Sequence, residues 1–112
     1  MSRFEPEVHA RLRRGLLDRG QALATKLAAL LAGADADRLI RALGLDARPG
    51  ARPEEVLRAA LDQVEARRRL LDSDDDRFGR CDVCGVALAP AALAEMPWAD
   101  RCAAHPVVVT AR

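Results

Sequence analysis

Three cysteines and one histidine stand at Cys81, Cys84, Cys102 and His105 in the order C-x2-C-x17-C-x2-H. They include every cysteine in the chain and one of its two histidines. Thiolate sulfur and imidazole nitrogen are the donors a tetrahedral zinc ion takes, and two close pairs on separate turns supply four of them. Three thiols cannot pair off as disulfides, and the spacer length falls in the zinc range. Gly79 before the first pair and Gly85 directly after it suit a chain that must curl back under a metal. The pattern predicts one structural Zn2+. The competing reading is a three-cysteine site in which His105 merely follows Cys102. A catalytic zinc fits less well, because all four positions are protein-filled and no general base sits beside the ligands. A C-x-x-C redox pair leaves Cys102 and His105 unexplained. Three thiolates and a neutral imidazole give the cluster a formal charge of about −1, which Arg77, Arg80 and Arg101 are placed to offset. His9 has no partner nearby in sequence and reads as a solvent-facing helix residue.

The elements that must position these donors are helical. Pro6 and Glu7 suit a first helical turn. Val8, Leu12, Leu16, Leu23, Leu27 and Leu30 then recur at helical spacing until Gly33, predicting a helix over about 6–32. Gly15 and Gly20 inside it mark a bend or a close contact. The connection at about 33–52 is irregular: Asp35 or Asp37 caps a short helix over Leu39, Ile40 and Leu43, ended by Gly44, before the punctuation of Pro49, Gly50 and Pro53. A second long helix opens at Pro53 with the stripe Leu57, Leu61, Val64 and Leu71. Glu7–Arg11, Glu54–Arg58 and Glu65–Arg69 are spaced as i,i+4 pairs. Arg67, Arg68 and Arg69 suit the negative end of that helix, and the acids of DSDDD stop it near 71–73. Phe78, Leu88, Leu93, Met96 and Trp98 supply an apolar centre for the cysteine-rich segment. Pro106 and the β-branched residues after it suggest a short extended tail. Periodicity alone leaves an antiparallel hairpin and a compact helical bundle equally open.

The bulk numbers narrow the function classes. The 112 residues carry a formal net charge of +1 and only 3% aromatics. A near-neutral chain without stacking aromatics argues against direct, sequence-specific DNA binding. Arg11, Arg13, Arg14, Arg67, Arg68 and Arg69 are candidates for a local basic patch. No nucleophile–base pair, phosphate-cradling loop or framed pair of acids suggests an enzyme. The start, MSRFEPEVHARLRR, lacks an export signal's apolar stretch, and QALATKLAALLA is too short to span a bilayer. The expectation is a cytoplasmic protein with no membrane partner.

Residues 61–105 carry a more specific pattern. Asp75, Phe78, Gly79, Cys81, Cys84 and Gly85 follow a long helix; Leu88, Leu93, Pro97, Ala99, Cys102 and His105 complete the set. This sequence resembles the DksA/TraR zinc-finger family. The resemblance implies a mainly α protein: residues 1–74 an antiparallel, coiled-coil-like helical hairpin, residues 75–112 a small C-terminal zinc finger and tail. It implies a non-enzymatic transcription regulator that binds RNA polymerase through the hairpin, whose acidic tip approaches the polymerase active site. His105 stands where cysteine is commoner in the family. The family's D-x-x-D-x-A tip pattern is missing; Asp35 and Asp37 are the candidate partner-binding tip residues, with helix capping as their competing role, and Asp46 lies further on. The alternative is an interaction or dimerisation module that kept the finger, lost the tip, and forms a homodimer through Leu23–Leu30 and Leu57–Leu71.

Overall fold

The computed structural model describes residues 4–45 and 50–105. The expected tail and Asp46 lie outside them. Four helices follow in order: α1 (Pro6–Leu31), α2 (Ala36–Ala42), α3 (Pro53–Asp72) and α4 (Pro90–Glu95). Proline opens α1, α3 and α4, where its missing N–H costs nothing. The globule is elongated, 45 × 28 × 21 Å. The helices α1 and α3 lie side by side and run in opposite directions. His9 Nε2 of α1 is 3.3 Å from the Leu71 carbonyl near the end of α3. One face of Gly20, further along α1, meets Val64, earlier in α3.

The core follows from the helical period. Leu12, Leu16 and Leu23 meet Leu57, Ala60, Val64 and Leu71, all buried. Leu16, Leu23 and Leu57 are shut off completely, each contributing about 1.5–3 kcal/mol by burial. Val8, at the start of the expected stripe, is instead 38% exposed, because it sits at an open cavity. Of the three predicted charge pairs, Glu54–Arg58 (2.9 Å) and Glu65–Arg69 (3.3 Å) form. Arg11 has no carboxylate partner among the described residues, so Glu7–Arg11 does not.

The connection folds back. The helix α2 buries Ile40 in the core, and Arg19 of α1 donates from Nη1 to the Leu43 carbonyl at 3.0 Å. Asp35 is the α2 N-cap and accepts from the Arg38 N–H at 3.2 Å, satisfying one of the free donors of that helix end. Asp37, in the first turn, is exposed.

The end of α3 repeats a device used twice before. The Asp75 N–H bonds the Leu70 carbonyl and the Asp74 N–H the Leu71 carbonyl, the paired pattern that closes a helix through one left-handed residue. At the ends of α1 and α2 that residue is glycine; here it is Asp74, with φ 57°. The acidic run that stops α3 is thus partly structural. Asp72 pairs with Arg13 and Arg68, and Asp75 accepts from the Arg77 N–H and side chain. Those pairings also dismantle the basic patch, since Arg67 is buried and Arg13, Arg68 and Arg69 face carboxylates. No helix is long and apolar enough to cross a membrane among the described residues.

Candidate metal centre

The segment after α3 makes a small antiparallel loop. The Leu88 N–H bonds the Gly79 carbonyl at 2.8 Å and the Cys81 N–H bonds the Val86 carbonyl at 2.9 Å, with a single bridge between Arg80 and Ala87. Gly79 and Gly85, at φ 74° and 76°, take the backbone through the two reversals where a side chain would be strained. The Gly85 N–H returns to the Cys81 carbonyl, so both cysteine sulfurs face one point. The second pair comes from a separate turn, closed by the His105 N–H on the Cys102 carbonyl at 3.0 Å. The Asp82 N–H on the Asp100 carbonyl, 2.9 Å, ties the two turns together.

Cys81, Cys84, Cys102 and His105 converge, with one donor atom from each within 4.8 Å of all the others. Around a tetrahedral zinc, bonds of ~2.3 Å to sulfur and ~2.0 Å to nitrogen place donors about 3.5–3.8 Å apart. Here Cys84 Sγ to Cys102 Sγ is 3.7 Å, Cys102 Sγ to His105 Nδ1 is 3.4 Å and Cys81 Sγ to His105 Nδ1 is 4.0 Å. The residues present therefore fit one metal ion such as zinc, with Nδ1 the histidine donor.

The electrostatics agree. Burial pushes the Cys81 thiol up, but amides at Cys84, Cys102 and Val83 aim at its sulfur and together bring it down to about 6; the Val83 N–H stands 3.4 Å away. At Cys84 the Val86 amide pulls the other way from burial and the neighbouring sulfurs of Cys102 and Cys81, which prevail and raise it. Packing several thiolates this closely is unfavourable without a cation between them. Two of the three flanking arginines are engaged elsewhere. Arg77 turns to Asp75 at 2.9 Å, and Arg80 donates to the Asp76 and Gly85 carbonyls.

Three contacts seat this unit on the helices. Pro97 is buried against Gly15 of α1, where a Cβ would stand 2.8 Å from its Cγ. The Arg19 guanidinium lies 4.6 Å from the centre of the Trp98 ring, a cation–π contact. Arg67 of α3, only 5% exposed, reaches Asp82 and Asp100, one on each turn, and donates to the Arg77 carbonyl at 3.4 Å. Among the expected apolar residues, Phe78 and Leu93 are buried, but both join the helical core, and Phe78 stacks edge-on to Phe4, ring centres 5.8 Å apart. Met96 is 48% exposed. His9 is no ligand; it is half-buried against the Leu71 carbonyl and not free in solvent as expected.

Sequence reasoning missed Arg67 and the short helix α4. Both left a signal. Arg67 falls three residues after Val64 and four before Leu71, squarely on the apolar stripe of α3, where a charge must find a partner. In PAALAE, Pro90 stands at a first helical position and five good helix formers follow. Comparison with family models, curated proteins and solved structures finds no match in any of the three.

Proposed function

We propose that this protein is a non-enzymatic regulator that works by binding another protein, and that its partner is RNA polymerase, as in the DksA/TraR family its sequence resembles. One structural zinc sits on Cys81, Cys84, Cys102 and His105. In this reading α1 and α3 are the arms of a coiled-coil-like hairpin and the zinc finger is its base. The supporting observation is the convergence of the four donors in a unit bolted to both long helices. Zinc there stiffens the base, so that a partner meets a preorganised surface. All four coordination positions are protein-filled, which suits structure and not catalysis. Reduced thiols suit the cytoplasm.

The test is direct. Zinc-loaded, folded protein is expected to co-purify with its own RNA polymerase and to change the yield of a promoter-initiation assay. Failure of both ends this reading.

One observation favours a second reading. The helix α2 tucks against the body, and the Asp35 carboxylate is spent on its cap. An interaction or dimerisation module that lost the polymerase-active tip accounts for that arrangement. The surface expected for that module is not available, because Leu23, Leu57 and Leu71 are buried where α1 meets α3; Leu17 and Leu31, 45% and 63% exposed on α1, are the apolar residues left for such a contact. Light scattering separates the two: a strictly monomeric protein that shifts polymerase activity excludes the second.

A further inference from the structure

We propose that a cavity between the start of α1, α4 and the finger loop binds a small aliphatic monocarboxylate. The cavity measures about 240 Å³. Leu12, Gly79 and Leu93 are buried beneath it, and Leu88 is half-buried at its side. An apolar cavity of about 150 Å³ accepts benzene, so this one takes a body of about ten non-hydrogen atoms. That is the size of octanoate.

The charge pattern selects the head group. Among the described residues, the two charged ones that line the cavity are both cations, Arg11 and Arg80. Arg80 spends Nε and Nη1 on the Asp76 and Gly85 carbonyls, which fixes its guanidinium beside the loop. Arg11 is exposed and has no ion pair or hydrogen bond among the described residues. A guanidinium held at the edge of an apolar cavity matches a carboxylate whose hydrocarbon chain enters that cavity. A neutral apolar ligand leaves the cations unused, and a dianion carries more charge than the apolar walls tolerate. The site owes nothing to the polymerase reading, since it is a property of the isolated chain.

The test uses zinc-loaded full-length protein and octanoate, followed by amide NMR. The expected result is saturable one-to-one binding, with shifts concentrated at Gly79, Ala87 and Ala94. Octanamide, of the same shape without the charge, is expected to bind about tenfold more weakly, the equivalent of one charge-assisted hydrogen bond. Arg11→Gln is expected to weaken octanoate by a similar factor and leave octanamide unchanged. Ala94→Phe, which fills the cavity from α4, is expected to abolish both while circular dichroism and zinc content stay normal. Absence of saturation at millimolar octanoate overturns the proposal. So do equal affinities for octanoate and octanamide, shifts centred elsewhere, or saturation by an apolar peptide but not by octanoate.

Discussion

Replacing Arg67 with alanine isolates the joint between finger and helices. The guanidinium is nearly enclosed, its side chain 6% exposed, and it spans Asp82 and Asp100 on the two ligand turns. Removing one member of a fully buried ion pair costs about 3–5 kcal/mol. Here the acids are not fully buried: the Asp82 side chain is 45% exposed and that of Asp100 19%. Water recovers part of their solvation, so the lower end applies, about 3 kcal/mol. For a chain of this size that corresponds to a fall in Tm of about 10–15 °C. Arg67→Met keeps the aliphatic stem against the core and is expected to recover about 1 kcal/mol of it. Thermal unfolding of the zinc-loaded protein measures both, followed by circular dichroism for the helices and by Trp98 fluorescence for the finger–α1 seam. An Arg67→Ala protein melting within about 3 °C of the parent would mean that the joint does not depend on this arginine.

The two glycines of α1 are expected to respond in opposite directions. Gly20→Ala brings its Cβ to an ordinary 3.6 Å from Val64 and should gain up to ~1 kcal/mol of helix propensity, whereas Gly15→Ala meets the rigid Pro97 ring at 2.8 Å and should lose stability in the same melt. Asp74→Gly relieves a left-handed aspartate and is expected to stabilise the protein by about 0.5–1 kcal/mol in urea titration. The Asp75 carboxyl, held by the Arg77 side chain and then its backbone N–H, lies near 2, below its ordinary 3.8. Its stabilising effect is therefore complete above about pH 4 and fades as pH falls through about 2. A carboxyl NMR midpoint near 3.8 would refute the pairing. Chelation is expected to remove one zinc equivalent, release the finger and lower Tm, with His105→Ala weakening retention in a competition titration against a chromophoric chelator.

Features that depend on neighbours in sequence were legible before any coordinates. Proline and glycine bracket α1, and Asp35 precedes α2 as a cap, because helix ends are satisfied within one turn. The two close pairs, Cys81 with Cys84 and Cys102 with His105, were legible for the same reason, since each is a local turn; that the four donors lie together, as one metal ion would need, is what the structure adds. The sequence also specified the charge pairs along α3, which need only the helical rise.

What only the tertiary structure decided is who meets whom across the chain. The stripe of α3 marks Arg67 as inward-facing, unlike Arg68 and Arg69, but that its guanidinium meets Asp82 and Asp100 on the two turns beyond α3 follows only from how that segment packs on the helices. Gly15 reads as a weak helix position until Pro97, eighty-two residues on, occupies the space its side chain would fill. The side on which α2 folds, and hence the fate of the connection bearing Asp35 and Asp37, was undetermined for the same reason. Local patterns fix where helices begin, end and turn their apolar faces; they do not say which other face covers them, since apolar attraction has no direction of its own.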